Sequence, residues 1–223
     1  MQLTFASQGK NIRIDVVTPS MDGMRPAVLV LHGSGGISDI PEHVRELTTH
    51  GYTRLAPHYF ESTGTSWADP DSIRQYGLTW GKTILDAVEF ARRLPNVDPE
   101  SIGLLGFSLG GYLAIAVAAN DRRIKCVAEF FGGVPEKFLP SLDHLPPTLI
   151  LHGSDDRVVP IRHAMRLKQL CEEKRFCFEM EIYSGAGHKF SETLMQTAME
   201  RVMVFLKQRL QAQQLMHTLS SSL

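Results

Sequence analysis

Short runs of consecutive apolar residues recur along the chain, and each ends at or beside a glycine or serine. Typical examples are AVLVLHG at 27–33, SIGLLGF at 101–107 and TLILHGS at 148–154. Continuous apolar runs of this length are typical of strands that are buried on both faces of a sheet. The segments between them carry apolar residues at helical spacing, as in 161–174 and 190–213. This alternation predicts an α/β fold with a mostly parallel central sheet and helices on both faces.

The remaining segments complete the predicted topology. Alternating polar and apolar residues in 3–19 predict an N-terminal hairpin. The polar stretch 61–79 is interpreted as a long surface excursion that leads into the next helix. We expect one domain over 1–223, with 212–223 as a tail that frays. The other predicted helices are 41–51, 79–94 and 109–120, and the other predicted strands are 52–60, 125–133 and 176–185.

Composition and charge narrow the classes of function. The chain has 223 residues, a formal net charge of -1 and 21% charged residues, so no nucleic-acid partner is expected. No apolar run reaches the roughly 18 residues of a membrane span, and the first residues do not resemble a secretory signal. Three cysteines without zinc or redox spacing indicate a reducing compartment, and we expect a cytoplasmic monomer or homodimer. No metal and no cofactor are expected.

Ser108 lies directly after the apolar run 101–107, between Gly106 and Gly110. Glycine has no Cβ, so this spacing allows a sharp turn from a strand into the helix that follows. G-x-S-x-G in a strand–turn–helix setting is the nucleophile elbow, in which the serine hydroxyl projects from the edge of the sheet. The five-residue pattern is also common by chance, and the alternative interpretation is an ordinary glycine-rich connection.

A serine nucleophile needs a general base, and the base needs an acid that orients it. In this architecture the acid and then the histidine follow the serine along the chain. Two later strand ends supply them in this order: Asp155 and Asp156 close to 148–154, and His188 after the last strand. Because ligands bind at the carboxyl ends of parallel strands, we expect these side chains to meet Ser108.

An oxyanion hole needs two N–H groups that point to the same oxygen. The glycine-rich loop HGSGG follows the strand in 27–33, and we expect the backbone N–H of Ser34 to act with that of Leu109. A phosphate-binding loop is the alternative, but the lysine and the GKS/T-like spacing of that motif are absent. Three aromatic residues are candidates for the substrate pocket: Phe60, Trp67 and Phe107.

The motifs LVLHGSGG, GFSLGG, LHGSDDRVVP and GAGHKF, in this order, resemble the dienelactone hydrolase family of the α/β-hydrolase superfamily. The family pattern G-x-x-D-x-x-V-P, counted from Gly153, selects Asp156 rather than Asp155. Founding members of the family carry a cysteine nucleophile and a glutamate that pairs with it, whereas this chain has Ser108 and Gly33. The two changes agree with each other, because a serine with histidine and aspartate needs different control from a cysteine thiolate.

The resemblance implies an α/β-hydrolase fold, and a chain of 223 residues leaves little room for a large lid domain. It also implies a serine hydrolase that cleaves carboxylic ester or lactone bonds of small soluble substrates through an acyl-enzyme. Ser108 would be the nucleophile, His188 the base and Asp156 the acid that orients it. A thioesterase or a small peptidase with the same triad is one alternative. The other is a catalytically idle relative that binds a ligand or a protein partner, which a complete set of triad residues argues against.

Overall fold

The computed structural model contains one central sheet of eight strands. They are β1 (Gln2–Ser7), β2 (Lys10–Val17), β3 (Arg25–Leu31), β4 (Thr53–Pro57), β5 (Val97–Phe107), β6 (Ile124–Phe130), β7 (Thr148–Gly153) and β8 (Phe178–Tyr183). Their order in the sheet is β1-β2-β4-β3-β5-β6-β7-β8. The strands from β3 to β8 run parallel, and the hairpin of β1 and β2 joins β4 in antiparallel orientation. The predicted mostly parallel α/β fold is confirmed.

The structure describes residues 1–21, 23–135 and 142–211, so the predicted tail 212–223 lies outside the described residues. Five α-helices surround the sheet: α1 (Glu46–Thr49), α2 (Pro70–Arg92), α3 (Leu109–Ala118), α4 (Arg162–Lys174) and α5 (Glu192–Leu206), which a π-helical turn (Lys207–Gln211) extends. Short 3₁₀ helices lie at Ile37–Asp39, Glu42–Arg45 and Tyr59–Ser62. The predicted helix 41–51 is therefore divided between a 3₁₀ helix and α1.

Helices cover both faces of the sheet, as the apolar runs predicted. One hydrophobic cluster joins a face of the sheet to α2, α3 and α4, and a second cluster joins the other face to α1 and α5. Successive residues of β3 alternate between them, with Leu29 and Leu31 in the first cluster and Val28 and Val30 in the second. Each fully buried apolar side chain of this kind contributes roughly 1.5–3 kcal/mol, which explains why apolar residues dominate both faces.

Helix α2 begins at Pro70, so the prediction of a surface excursion through residue 79 was wrong for its second half. Asp69 caps the helix: its carboxylate accepts the N–H of Ser72 at 2.7 Å, and the Ser72 hydroxyl accepts the Asp69 N–H at 2.8 Å. Proline is favourable at the first helical position because the helix needs no N–H donor there. The early start gives the carboxyl edge of the sheet an additional helical wall.

The carboxyl ends of the parallel strands lie along one edge of the sheet. The residues that follow β3, β5, β7 and β8 at this edge include Ser34, Ser108, Asp156 and His188, respectively. The topology therefore brings four loops from distant parts of the chain to a common edge, where open α/β sheets bind ligands.

Candidate active site

Ser108 occupies the turn between β5 and α3 with φ 53° and ψ -117°, backbone angles that L side chains rarely adopt. Its N–H donates to the carbonyl of Phe130 at 2.8 Å, and its carbonyl accepts the N–H groups of Gly111 and Tyr112. A residue in such a conformation costs on the order of 1–3 kcal/mol and persists only where neighbouring contacts hold it. This is the geometry of a nucleophile elbow.

Both glycines of the elbow are required by the close approach of backbone segments. A Cβ on Gly106 would overlap the carbonyl oxygen of Gly110, and a Cβ on Gly110 would overlap that of Leu31 in β3. Neither obstacle is the end of a flexible side chain, so a larger residue would push α3 away from the sheet. The glycines thus allow the strand, the turn and the helix to pack closely around Ser108.

The structure brings the three predicted triad residues together at the carboxyl edge. His188 Nε2 lies 3.0 Å from Ser108 Oγ, and His188 Nδ1 lies 2.8 Å from Asp156 Oδ2. Ser108 is 80 positions and Asp156 is 32 positions from His188 in the chain. Both distances are within hydrogen-bond reach, in the order hydroxyl, imidazole and carboxylate that an activated serine needs.

Asp156 is the carboxylate that reaches the histidine. Its side chain is buried, and its Oδ1 accepts the N–H groups of Val158 and Val159, each at 2.8 Å. These donors and the imidazole N–H offset the cost of placing a carboxylate in the interior. Asp155, the neighbouring candidate, is exposed and accepts the hydroxyl of Ser154 at 2.7 Å.

A second histidine supports the loop that carries Asp156. His152 is fully buried, its Nε2–H donates to the carbonyl of Val159 at 2.8 Å, and the same nitrogen lies 3.6 Å from Asp156 Oδ2. Burial lowers the pKa of His152 below its ordinary value. The ring is therefore neutral near neutral pH and acts as a hydrogen-bond donor that holds the loop in place.

The loop after β3 packs directly against Ser108, because a Cβ on Gly33 would lie 3.5 Å from the Cβ of Ser108. Within this loop, Gly35 and Gly36 donate their N–H groups to other loop residues. The N–H group of Ser34 has no acceptor among the described residues. Leu109 is the first residue of α3, where a helix offers no carbonyl of its own to the N–H. Both predicted oxyanion donors therefore adjoin Ser108.

A cavity of about 1000 Å³ adjoins Ser108 between α2, α3 and the loop after β7. Of the three predicted pocket aromatics, Trp67 lines this cavity. The sequence pattern did not predict the side of the cavity that α2 forms. Because residues 61–79 were predicted as a loop, the apolar face of the first turns of α2 was not recognised. The Asp69-Pro70 pair is the capping signal that could have revealed this wall.

The two other predicted pocket aromatics, Phe60 and Phe107, are buried in the interior and do not line the cavity. Phe60 lies in the 3₁₀ helix after β4, where its ring packs on His32 and Trp80 with centroid distances of 4.6 Å. Phe107 stacks on Phe130 at 5.0 Å, in the hydrophobic cluster that α5 covers. In both cases the ring points into a hydrophobic cluster of the interior rather than into the cavity.

Sequence reasoning also missed a buried acid next to the site. Glu129 in β6 is fully buried; one oxygen accepts the N–H of Gly132 at 2.7 Å, and the other has no hydrogen-bond partner among the described residues. Burial raises the pKa of Glu129 to about 8. The turn that it holds contains Phe131, whose φ is 58° and whose ring centroid lies 5.1 Å from that of His188. Glu129 therefore supports the turn that packs on the imidazole.

The three cysteines, Cys126, Cys171 and Cys177, are free. Burial raises the pKa of both Cys126 and Cys171 to about 12, which keeps these thiols protonated and unreactive. Across the described residues, no group of three or more histidine, cysteine, aspartate or glutamate side chains is placed to hold a metal ion. Over the same part of the chain, no helix combines the length and the apolar character needed to cross a membrane.

Known proteins resemble this chain in sequence over most of its length. The model of the dienelactone hydrolase family matches residues 12–211. A Synechocystis protein, provisionally named carboxymethylenebutenolidase, is 24% identical over 214 residues, which cover 84% of this chain and 85% of that protein. A Yersinia pestis protein with the same provisional name is 25% identical over 210 residues, which cover 85% of this chain and 78% of that protein.

Solved structures share the fold over nearly the whole chain. A provisionally named dienelactone hydrolase from Klebsiella pneumoniae has a TM-score of 0.78 at 22% identity, and the match covers 93% of this chain and 98% of that one. A dienelactone hydrolase-like promiscuous phosphotriesterase from metagenomic libraries has a TM-score of 0.79 at 16% identity, with 94% and 97% covered. At these identities the likeness shows the fold alone.

Proposed function

This chain belongs to the dienelactone hydrolase family, and on that premise we propose that it cleaves carboxylic ester or lactone bonds of small molecules with Ser108 as nucleophile. The observation that carries the proposal is the pair of contacts at His188, 3.0 Å to the Ser108 hydroxyl and 2.8 Å to the Asp156 carboxylate. Family membership supports the class of reaction, and these contacts support the covalent route.

In the first step, Ser108 Oγ attacks the carbonyl carbon while His188 Nε2 accepts the hydroxyl proton. The carbonyl electron pair moves to oxygen, which gives a tetrahedral intermediate. Asp156 accepts the Nδ1–H, which keeps the lone pair on Nε2 before the attack and stabilises the imidazolium afterwards. The hydrogen bonds to Asp156 from Val158 and Val159 fix the carboxylate for this task.

The oxygen that gains negative charge is placed to accept the N–H groups of Ser34 and Leu109. Both donors are backbone groups, so they need no reorganisation as the charge develops. Collapse of the intermediate passes the proton from His188 to the leaving alcohol and leaves an acyl group on Ser108. Water, deprotonated by His188, then attacks the acyl carbon; the bond to Ser108 Oγ breaks, His188 returns the proton to Oγ, and the acid is released.

Replacement of Ser108 by alanine tests the proposal. Turnover of p-nitrophenyl acetate should fall by about 10³-fold or more, because the nucleophile is lost. Circular dichroism and the unfolding midpoint should stay close to those of the wild type. A fluorophosphonate probe should label the wild type and not Ser108→Ala.

Ser38→Ala is a matched control, since Ser38 is an exposed serine outside the triad, and it should keep both turnover and labelling. Undiminished turnover by a folded Ser108→Ala variant would contradict the proposal, and so would a folded wild type that the probe does not label.

Thioesters and amides pass through the same acyl-enzyme as esters. A panel in which one acyl group is joined as ester, thioester or amide compares the three bonds, and we expect the ester to have the highest kcat/KM. We also propose a cytoplasmic location, for which the three free cysteines are the support, since they fit a reducing compartment.

A further inference from the structure

The cavity beside Ser108 extends well beyond the reacting atoms. It runs from Ser34 and Ser108 along the space between α2 and α3, and its volume is about 1000 Å³. We call this space the α2–α3 groove. Its walls include the aliphatic side chains of Ile73, Leu78, Leu85, Leu113, Val117 and Val158.

Both helical walls of the groove start at the catalytic edge. Leu109 begins α3 beside the nucleophile, and the N–H of Ala68, just before α2, donates to the carbonyl of Ser34 at 2.8 Å. Farther along, the groove is lined by Lys82 and Leu85 in α2 and by Asn120 just after α3, roughly 11 to 15 residues from the start of each wall. At 1.5 Å per residue this corresponds to a groove roughly 18 Å long.

Two glycines keep the α2 wall open. Gly77 and Gly81 both line the groove, one helical turn apart. A Cβ on Gly77 would meet no atom within 4 Å, and a Cβ on Gly81 would make only an ordinary contact with Val117 at 3.9 Å. Glycine inside a helix is unfavourable relative to alanine, and packing within the described chain does not require it here. The glycines therefore leave space beside α2 that the described residues do not fill.

Large apolar side chains are exposed around this space. The exposed fractions are 61% for Trp67, 68% for Leu78 and 70% for Val158, and all three line the groove. Single exposed apolar residues are normal, but a group of them continuous with a cavity and a nucleophile is typical of a ligand site. The position of the group next to Ser108 favours substrate as the ligand.

We propose that the α2–α3 groove binds an unbranched aliphatic chain of the ester substrate, which extends away from the carbonyl carbon that Ser108 attacks. This inference rests on the proposed function and adds a substrate class to it. An aliphatic chain suits the groove because its CH₂ groups leave water and contact CH groups on both walls. Lys82 and Asn120 are polar residues in the part of the groove that lies away from Ser108.

The direct test is kcat/KM for p-nitrophenyl acetate, butyrate, hexanoate and octanoate. Each CH₂ that enters the groove should raise kcat/KM about two- to fourfold, so octanoate, with six more CH₂ groups, should exceed acetate by about 60-fold or more. A second series of butyl, hexyl and octyl acetates, followed by proton release, distinguishes the alcohol side of the ester from the acyl side. A rise in either series supports the proposal and identifies which side enters the groove.

A variant that fills the groove sharpens the test. Gly77→Phe should lower the octanoate-to-acetate ratio of kcat/KM by about tenfold, because a phenyl ring would occupy the space of the chain. Gln75→Phe is the matched control: residue 75 is exposed on the same helix and does not line the groove, so the ratio should stay at the wild-type value.

Failure of this inference is distinguishable from failure of the proposed function. If acetate turnover depends on Ser108 but both chain-length series are flat, the groove proposal is overturned and the proposed function stands. If no ester is turned over, the binding of octanoate is measured by calorimetry. Binding that Gly77→Phe weakens and Gln75→Phe leaves unchanged supports the groove proposal, and the absence of binding overturns it. A dimer that Gly77→Phe dissociates, without chain-length preference, would assign the groove to a second copy and overturn the proposal.

Discussion

Glu129 lies in β6, and Asp156 lies just after the neighbouring strand β7. Both carboxyl groups are buried, but they differ in the hydrogen-bond donors around them. Asp156 is in contact with two backbone N–H groups and the imidazole Nδ1, each at 2.8 Å. Glu129 accepts one N–H, from Gly132, and its second oxygen has no partner among the described residues. Because burial is opposed by so few donors, the pKa of Glu129 is raised to about 8.

The difference shows that burial alone does not identify a catalytic acid. A carboxylate that stabilises an imidazolium has to be charged, and a charge in the interior needs hydrogen-bond donors. Asp156 has these donors and contacts His188 directly. Glu129 suits a neutral group that holds the turn of Phe131, and so it acts on the position of the imidazole rather than on its charge.

The largest predicted effect is on kcat, which should differ strongly between variants of the two carboxyl groups. Asp156→Asn should lower kcat by about 10³- to 10⁴-fold, because an amide cannot stabilise the imidazolium and favours the wrong tautomer. Glu129→Gln should change kcat by less than about threefold, because the amide oxygen can still accept the N–H of Gly132. Steady-state kinetics of both variants provides the measurement. A loss of similar size in both would contradict the assignment of roles.

A second effect should appear in the pH dependence of stability, through Glu129. Between the ordinary pKa of 4.5 and about 8, the unfolded chain releases the Glu129 proton while the folded chain keeps it. The folded state then binds more protons, so this group lowers the free energy of unfolding as pH rises, by up to about 1.4 kcal/mol per pH unit.

Glu129→Gln removes this contribution because glutamine does not titrate. The free energy of unfolding of wild type and variant is measured with urea at about pH 5 and about pH 7.5. Between these pH values, the difference in this free energy between the two proteins should change by about 2–3 kcal/mol in favour of the variant. A difference that is the same at both pH values would show that Glu129 is already charged in the folded protein.

The smallest effect concerns Asp155, the neighbour of the aspartate that contacts His188. Asp155→Asn should change kcat/KM by less than about twofold, since this side chain is exposed and its oxygen accepts only the nearby Ser154 hydroxyl. A loss as large as that of Asp156→Asn, measured on the same ester, would mean that the histidine uses the other carboxylate during turnover.

The parts of the site that could be predicted from sequence are those set by local backbone chemistry. Glycine is needed at positions 106 and 110 because a Cβ at either position would overlap a carbonyl oxygen, and the G-x-S-x-G pattern around Ser108 reflects this requirement. The apolar runs predicted the strands because burial on both faces favours apolar residues at successive positions. The start of α2 was missed although Asp69 and Pro70 carry a capping signal, since the polar residues around them also fit a loop.

Other features depended on where distant segments meet. Asp155 and Asp156 are adjacent in the chain, and family resemblance chose between them, but only the folded loop turns one side chain inwards and the other outwards. Phe60 and Phe107 were reasonable pocket candidates by position, yet their rings enter two different hydrophobic clusters. The orientation of a side chain about its backbone is not visible in a pattern of residue types.

The sequence by itself determined the alternation of strands and helices, the elbow at Ser108, and the order in which acid and histidine follow it. Each of these is written in neighbouring residues, because it arises from the conformation that a few consecutive residues can adopt. Only the tertiary structure decided which aspartate contacts His188, that Glu129 is buried with a single donor, and that a groove opens between α2 and α3. These depend on distances between atoms from segments far apart in the chain, and such distances exist only once the chain has folded.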